Sequence, residues 1–363
     1  MKDVLFVYTF NTSSKSFGGI KSILESYFNN IKLFDTREYR INLFNYKPEL
    51  VGKKGKIGHV LYGIKQTYML WRYLRHHHCD LVHFHTSRDF LFMKDVLMAK
   101  MIKRRFGIPV LMTIHVGAAE TVFSKTVFFQ NSLIKTANKY IDKLLFLSKA
   151  IKDDFINLGL SAERGDVLYN FHDLTPLTVP DERKQSDTIN LIFVGAIHQE
   201  KGILELLTAL KSLSIPYHLD ICGIVKDLHI KDEFDKITKE MSGKVTMHGM
   251  VSGAEKTQLY LNADVLVLPS YHEGMPMVIL EALSTKCGII STRVGATPEI
   301  LDESNALWVD VKSSSQIADA VVYLYSNNDT LNNMKVNNFN LSRKFSLEYH
   351  IESLCSIYNS ITR

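Results

Sequence analysis

Two hydrophobic patterns alternate along this chain. Short runs of consecutive apolar residues, such as residues 3–10 and 80–86, are typical of strands buried on both faces. Between them lie longer segments in which apolar residues recur every three or four positions, as Ile20, Ile23 and Leu24 do, and this spacing predicts helices. The alternation predicts parallel sheets covered by helices, the α/β class. The predicted strands are residues 3–10, 37–46, 80–86, 109–115, 143–148, 189–196, 217–223, 244–249, 264–270 and 288–293.

The alternation is interrupted once. Residues 177–190 are polar, contain Pro180 and have no periodicity, so we interpret them as a linker. A chain of 363 residues also exceeds the usual size of one domain. The sequence therefore predicts two doubly wound domains of similar size, at residues 1–178 and 188–345, and a final helix at about 346–363.

The composition limits the class of protein. Hydrophobic residues make up 46% and charged residues 22%, which is ordinary for a soluble protein. The net charge of +5 does not indicate nucleic acid, but it suits anionic small molecules or an anionic membrane surface. The four cysteines are far apart and predict neither a zinc site nor disulfides, so we expect a cytoplasmic protein. The N-terminus does not resemble a signal peptide, and no apolar stretch is long enough to span a membrane.

One segment combines several candidate site features: "PSYHEGMPMVILEALSTK", residues 269–286. The preceding strand ends at Ser270, and Pro276 suits the start of a helix over 276–286 because its missing N–H costs nothing there. The backbone N–H groups from about Gly274 to Val278 would be free at this helix start. They predict an anion site, and the glycine permits close approach of a ligand.

Two carboxylates flank that helix start. Glu273 lies in the loop and Glu281 lies inside the helix, so they are not partners on one helix face. They can reach different parts of one ligand, and a carboxylate that accepts two hydroxyl groups is a common way to hold a ribose. The alternative is that Glu281 is a solvated helix residue and Glu273 a charge that caps the loop.

Other candidate groups also follow predicted strands. Gly195 ends one strand, and Lys201 could place an ammonium on a phosphate near the next helix start, or be a solvated lysine. Gly18 and Gly19 open the first helix, either as a cradle of backbone N–H groups or as a simple tight turn. Lys15, in the same loop, could face an anion or the solvent.

Histidines end two strands. His83 and His85 are two residues apart and point to one face of their strand, where we expect His83 to be a core residue and His85 to be able to face a ligand. His115 ends the next strand and is either a ligand-facing group or a loop cap. The chain contains no D-x-D motif, a pair of carboxylates that can hold a divalent ion.

The segment "EGMPMVILEA" closely resembles the E-x7-E signature of retaining, GT-B-type glycosyltransferases of family 4, and "STRVGATPEIL", residues 291–301, resembles the same family's next segment. The resemblance extends over nearly the whole chain and is strongest over residues 189–301. It implies a GT-B fold, with two Rossmann-like domains facing a cleft. The first domain would bind the acceptor, the second would bind a nucleotide sugar, and the last helix would pack back on the first.

The resemblance also implies residue roles. Glu281 would hold the ribose hydroxyls, Glu273 would contact the transferred sugar, and His115 would help to position it. Glu273 and His115 are thus the candidate catalytic residues, while Gly223 and Met250, in "ICGIVKD" and "MHGMVS", would line the nucleobase pocket. The candidate donor-binding residues are Gly18, Gly19, Gly195, Lys201, Gly223, Met250, Gly274, Met275, Pro276, Met277, Val278 and Glu281.

The chain departs from the family pattern at two places. Ala196 stands where the family usually has an arginine, which removes one diphosphate cation; Lys201 and the backbone would suffice, or another base such as Arg293 would help. Lys286 stands where the family usually has a glycine, at the far end of the helix, and we expect it to alter the turn rather than the chemistry.

The expected function is transfer of a sugar from a nucleotide sugar to a hydroxyl of a glycan or a polyprenyl-diphosphate-linked acceptor, with retention and without a metal ion or other cofactor. Synthesis of a bacterial surface polysaccharide (capsule, O-antigen, lipopolysaccharide or exopolysaccharide) is the natural setting. The alternatives are a nucleotide-sugar-binding protein with weak catalysis, which Ala196 would favour, and an epimerase or a glycogen-type synthase of the same fold.

A basic and aromatic segment, residues 51–78, could bind a membrane. It carries lysines and arginines among tyrosines and a tryptophan, a composition that suits an amphipathic helix on an anionic bilayer. The equally good alternative is a solvated helix face with its aromatic residues in the core. The first reading predicts peripheral binding at the inner face of the cell membrane.

Overall fold

The computed structural model of the protein describes residues 1–8, 19–45, 56–116, 122–173 and 187–362. They form two units, Met1–Asn170 with Glu348–Arg363, and Phe171–Leu347. The division falls before the expected linker because Phe171–Asp173 is tied to the second unit. The backbone N–H of His172 donates to the Phe345 carbonyl at 2.9 Å, and its ring Nε2 lies 3.1 Å from the Ser342 carbonyl oxygen.

The first unit is built on a parallel sheet. Its strands are β1 (Lys2–Tyr8), β2 (Tyr39–Asn45), β3 (Leu81–Thr86), β4 (Val110–Ile114), β5 (Lys143–Phe146) and β6 (Gly165–Val167). Its helices are α1 (Gly19–Asn29), α2 (Lys32–Asp35), α3 (Lys56–Leu74), α4 (Phe90–Phe106), α5 (Gln130–Tyr140) and α6 (Lys149–Asn157), and the short 3-10 helices Val127–Phe129 and Ala162–Arg164. The strand order is β2-β1-β3-β4-β5-β6, and all neighbours are parallel.

The C-terminal helix, Leu347–Ile361, belongs mainly to this first unit. Its Tyr358 is fully buried, with the hydroxyl 2.8 Å from Nδ1 of His83 on β3. The next residue, Asn359, accepts a hydrogen bond of 2.7 Å from the hydroxyl of Tyr39. The helix thus covers the sheet that was made by the start of the chain, and it supplies hydrogen bonds to polar groups in that core.

The second unit contains another parallel sheet. Its strands are β7 (Ile189–Val194), β8 (Tyr217–Cys222), β9 (Val245–Gly249), β10 (Val265–Leu268), β11 (Gly288–Ser291) and β12 (Leu307–Trp308). Its helices are α7 (Ile203–Lys211), α8 (Lys231–Glu240), α9 (Gly253–Asn262), α10 (Met277–Ser284), α11 (Thr297–Ile300), α12 (Ser314–Ser326) and α13 (Asn328–Ser342), with the 3-10 helices Gln199–Lys201 and Arg343–Phe345. The strand order is β12-β11-β10-β7-β8-β9.

That order is the Rossmann order, in which the first strand of the unit, β7, lies between the second and the fourth. After β7 the chain forms β8 and β9 on one side of it. It then returns to form β10, β11 and β12 on the other side. A crevice forms between the carboxyl ends of β7 and β10, where the helices that follow the two strands diverge, and ligands bind in such a crevice. The fold therefore points to the residues after Val194 and after Leu268.

The α/β class predicted from the hydrophobic pattern is confirmed. The long apolar runs are buried because helices cover both faces of each sheet, as for Leu191, Ile192 and Phe193 in β7. The sequence prediction missed β6 and β12, which have three and two residues and are too short to show a pattern. All four cysteines lie among the described residues, are buried and form no disulfide.

Candidate active site

The carboxyl ends of β7 and β10 bring the two best sequence candidates together. Lys201 lies in the 3-10 helix that follows β7, and Glu273 lies in the loop that follows β10. The lysine Nζ is 2.7 Å from Oε1 of the glutamate, whose side chain is only 9% exposed, against 30% for the lysine. Ser270 donates a second hydrogen bond of 2.7 Å to the same oxygen. The carboxylate is therefore held in one orientation at the switch point of the sheet.

The loop that carries Glu273 is fixed from two directions. The Tyr271 N–H donates to the carbonyl of Glu200 at 2.8 Å, and this bond joins the loop to the turn that carries Lys201. On the other side, the hydroxyl of Thr292 donates to the carbonyl of Ser270 at 2.6 Å. Buried polar groups that are satisfied in this way hold a loop rigidly.

Gly295 packs directly beneath the same loop. Its φ is +56°, and a Cβ at this position would lie 2.2 Å from the carbonyl oxygen of Glu273 and 2.5 Å from that of Gly274. The next residue, Ala296, donates its N–H to the Gly274 carbonyl at 2.7 Å. Only glycine permits this approach, so the segment 291–301 supports the Glu273 loop from below.

The helix after the loop starts as the sequence predicts but is shorter. It spans Met277–Ser284, with Pro276 as an extended N-cap residue at φ −72° and ψ 116°. The first N–H groups of a helix have no acceptor within it, so this end carries partial positive charge. Lys286, beyond its other end, has a φ of +54°, a conformation that glycine adopts more easily. The departure at Lys286 therefore concerns the turn, away from Glu273 and Glu281.

Glu281 is buried on this helix, with 7% of the residue exposed. Its Oε1 accepts from Nζ of Lys256 at 2.5 Å, a lysine on α9 that the sequence did not suggest. Among the described residues Oε2 has no hydrogen-bond partner. Burial, and secondly the Glu281 carboxylate, raise the pKa of the adjacent Tyr260 well above its usual value. The carboxylate thus offers one buried acceptor oxygen.

Gly195 and Gly223 are placed side by side. Gly195 donates its N–H to the Cys222 carbonyl at 2.9 Å, and a Cβ on Gly223 would lie 1.8 Å from the Gly195 carbonyl oxygen. The glycine at 223 is thus required by backbone packing, whatever it also does for a ligand. Met250 follows β9 and is 45% exposed.

The remaining donor-binding candidates lie at two helix starts, one after β10 and one at α1. Met275 and Pro276 are buried, while Gly274, Met277 and Val278 are partly exposed at the helix start. Gly19 is the first residue of α1, whereas Gly18 and Lys15 lie outside the described residues. These positions fit the predicted helix-start sites, and their roles toward a ligand stay predictions.

Ala196 leaves its position without a cation, and Arg293 is engaged elsewhere. The Arg293 guanidinium is 2.6 Å from Oε1 of Glu303 and lies 4.4 Å from the ring centroid of Trp308. These two contacts engage the guanidinium, and its role in replacing the arginine stays a prediction. Lys201 is the basic side chain that contacts Glu273 at this edge.

In the first unit, His115 follows β4 and contacts a histidine on β3. Its Nε2 is 3.1 Å from Nδ1 of His85, and the rings are stacked with centroids 5.4 Å apart. His83 is a core residue, as predicted, with Nε2 2.8 Å from the hydroxyl of Thr113. His85 is only 6% exposed, so it supports His115 rather than facing solvent.

These histidines are kept neutral. Burial, followed by the neighbouring His350, lowers the pKa of His115 to about 3. Burial, with the surrounding histidines, also holds the pKa values of His83 and His85 well below the ordinary value. A neutral imidazole can donate at one nitrogen and accept at the other, so His115 can offer a single hydrogen bond beyond the one with His85.

The part of the chain that the structure describes contains neither a candidate metal cluster nor a helix suited to span a membrane. No group of three or more His, Cys, Asp or Glu side chains among the described residues could hold a metal ion. Within the same residues, no helix combines the length and apolar character that crossing a bilayer requires.

Sequence reasoning missed four contributors to this geometry. They are Ser270, Lys256, Gly295 and His85. The last three come from segments distant in sequence from the residues that they orient, and His85 had been assigned another role. Ser270 offered the best signal, because it directly follows a buried strand three positions before Glu273. Nothing in the spacing of Lys256 could have linked it to Glu281.

Comparison with known proteins places this fold and site in a family. A family model described as Glycosyltransferase Family 4 matches residues 39–175, and one described as Glycosyl transferases group 1 matches residues 177–340. The two matches adjoin and cover most of the chain. The protein belongs to the GT-B glycosyltransferases of family 4, and it is a glycosyltransferase.

Individual relatives are distant. An uncharacterized glycosyltransferase of Methanocaldococcus jannaschii is 25% identical over 284 residues, which are 78% of this chain and 76% of that protein. The N,N'-diacetylbacillosaminyl-diphospho-undecaprenol alpha-1,3-N-acetylgalactosaminyltransferase of Campylobacter jejuni is 25% identical over 211 residues, 54% of each chain. The Anabaena protein HepE, solved in complex with UDP, shares the fold with a TM-score of 0.73 and 16% identity over 99% of this chain and 100% of HepE.

Proposed function

We propose that this glycosyltransferase moves a sugar from a nucleotide sugar to a hydroxyl group of a glycan or lipid-linked acceptor, with retention of configuration and without a metal ion. The observation that carries the proposal is the placement of Lys201, Glu273 and the start of helix Met277–Ser284 after β7 and β10. This is where an open α/β sheet of Rossmann order binds its ligand.

The charges there suit a sugar diphosphate. The diphosphate would lie against the helix start, where backbone N–H groups and Lys201 offset its negative charge in place of a metal ion. Glu273, oriented by Lys201 and Ser270, would accept hydrogen bonds from hydroxyls of the transferred sugar. Glu281 would accept from the ribose, and His115 would position the sugar, as the family resemblance implies.

In the proposed reaction the bond between the anomeric carbon and the leaving diphosphate oxygen breaks. The acceptor oxygen forms the new bond to that carbon on the same face. The acceptor's proton passes to the departing diphosphate, so no side-chain nucleophile is needed. The products are the glycosylated acceptor and the nucleoside diphosphate.

A lipid-linked acceptor is favoured by helix α3, Lys56–Leu74. Leu61, Ile64 and Tyr68 follow one another at helical spacing and are 62%, 61% and 58% exposed. The exposed Lys65 and Arg72 accompany them, and the helix contains no acidic residue. An exposed face that is both apolar and basic suits the surface of an anionic bilayer. The Campylobacter relative, whose name includes an undecaprenol-linked substrate, adds support. We accordingly propose a role in bacterial surface glycan synthesis at the inner face of the membrane.

The test measures nucleoside diphosphate release from a panel of nucleotide sugars, with and without lipid-linked acceptors and with EDTA. UDP-sugars come first because HepE was solved with UDP. We expect release that depends on acceptor and persists in EDTA, and an α-anomeric product from an α-linked donor. Glu281→Ala should weaken donor binding, while Glu273→Ala should reduce turnover more than nucleotide affinity. Exposed Glu255→Ala, on α9, is the matched control.

Ala196 favours a second candidate, a nucleotide-sugar-binding protein with little catalysis, because a diphosphate cation is missing there. In that case donors bind but no acceptor stimulates release. Ala196→Arg then separates the two candidates: a gain in binding without turnover supports the binding protein.

A further inference from the structure

Lys256 and Glu281 form an ion pair in which one carboxylate oxygen has no hydrogen-bond partner among the described residues. The lysine lies on α9 and the glutamate on α10, and their charged atoms are 2.5 Å apart, with side chains 24% and 9% exposed. A buried carboxylate is stable only if its charge is compensated and its oxygens are hydrogen-bonded. Here Lys256 satisfies Oε1, but Oε2 is buried without a partner among the described residues.

The same unit contains a pair that shows what a closed arrangement looks like. Lys335 contacts Oδ1 of Asp264 at 2.7 Å, and the two side chains are 12% and 18% exposed. The second oxygen of Asp264 accepts from both the backbone N–H and the side-chain amide of Asn190, at 3.0 and 3.2 Å. Both oxygens of Asp264 are therefore satisfied within the protein, whereas Glu281 keeps one oxygen open.

The open oxygen needs a hydrogen-bond donor. An ammonium can only donate, so Lys256 does not compete for a hydroxyl group that approaches Glu281. By holding Oε1, it compensates the charge of the carboxylate and keeps it in one rotamer, with Oε2 available. Lys256 also lies on the helix that follows Met250, beside the strand ends expected to bind the nucleobase. A ribose that is attached to a base there would bring its hydroxyls to Glu281.

We propose that Lys256 is a positioning residue for nucleoside recognition, which holds Glu281 so that Oε2 accepts a hydrogen bond from a ribose hydroxyl. The inference rests on the proposed use of a nucleotide-sugar donor. It adds a residue that gives the site its preference for a ribonucleotide over a 2′-deoxyribonucleotide. Lys256 itself need not contact the substrate.

The test compares the affinity for UDP and 2′-deoxy-UDP, and for GDP and 2′-deoxy-GDP, by titration calorimetry. In the wild-type protein we expect the ribonucleotide to bind roughly tenfold or more tightly, because a hydrogen bond to a charged group is lost with the hydroxyl. Lys256→Met should reduce that ratio to about one to threefold, and Lys256→Arg should restore most of it. Lys335→Met is the matched control, since it breaks the closed ion pair and should lower stability without changing the ratio.

The outcomes separate this inference from the proposed function. If the wild-type protein binds none of these nucleotides and releases no nucleoside diphosphate from the donor panel, the proposed function fails and the inference fails with it. If it binds a ribonucleotide and Lys256→Met leaves the ribo-to-deoxy ratio unchanged, the proposed function stands and the positioning role is wrong. An equal loss of affinity for both forms in Lys256→Met would likewise assign the lysine a structural role only.

Discussion

Lys201 and Glu273, which are separated by a large part of the second unit in sequence, form an ion pair of 2.7 Å at the switch point of its sheet. Each had been assigned a different part of the ligand, the lysine to a phosphate and the glutamate to the sugar. Their contact means that the two contributions are coupled, because each side chain orients and compensates the other before any ligand binds.

The coupling can be measured as stability. In a double-mutant cycle of Lys201→Met and Glu273→Gln, we expect a coupling free energy of unfolding of about 1–3 kcal/mol, since the glutamate is nearly buried. Urea unfolding followed by Trp308 fluorescence in a Trp71→Phe background reports on this unit. The exposed pair Lys211 and Glu240 is the control and should show no measurable coupling. Equal coupling in both pairs would contradict the prediction.

Gly295→Ala should displace the Glu273 loop. The new Cβ would be strained by the φ of +56° and would also meet two carbonyl oxygens, so we expect a loss of roughly 2–4 kcal/mol of unfolding free energy and a fall in turnover. Gly253→Ala is a close control because Gly253 has the same φ, +56°, and open space around its Cα. It should cost about 1 kcal/mol, the strain alone. Equal costs would show that the contact with the loop is unimportant.

Because the histidines of the first unit are buried in the neutral form, we expect the unfolding free energy of this unit to decrease as the pH falls. Burial lowers the pKa of His115 to about 3 and that of His350 to about 4, against an unfolded value near 6.5. Above about pH 6.5 neither state binds protons at these groups. As the pH falls from there toward 4, only the unfolded chain binds them, so stability decreases by about 1.4 kcal/mol per pH unit for each histidine.

Trp71 fluorescence in a Trp308→Phe background can follow this effect during urea unfolding between pH 4.5 and 7.5. His350→Gln should reduce the slope by about one histidine's share, while exposed His76→Gln should leave it unchanged. A first unit whose stability does not change over this range would refute the prediction.

The exposed face of α3 predicts membrane binding. Replacing Leu61, Ile64 and Tyr68 together by serine should weaken co-sedimentation with anionic liposomes at least about tenfold, because their apolar surface would no longer enter the bilayer. High salt should also weaken it, since Lys65 and Arg72 contribute charge attraction. Serine at Leu228 and Val336, exposed apolar residues of the second unit, is the control. Absence of wild-type binding at low salt would exclude this membrane surface.

The sequence determined the fold class because each strand and helix carries its own pattern. Buried parallel strands are continuous apolar runs, so residues 264–270 predict the strand observed at Val265–Leu268. Local rules also gave the helix start at Pro276, because proline's effect on a helix depends on its immediate neighbours alone. For the same reason Glu273, Glu281 and Lys201 could be selected from short motifs that follow strands.

Only the tertiary structure decided which partners these residues have. Lys256, Thr292 and Gly295 meet the site through the packing of α9, β10 and β11, and the sequence separation of such contacts has no period that a pattern could reveal. The same holds for His85 beside His115, which parallel pairing of β3 and β4 brings together. The identities of the site residues were thus readable locally, whereas their orientation, charge compensation and coupling arise from contacts between distant segments.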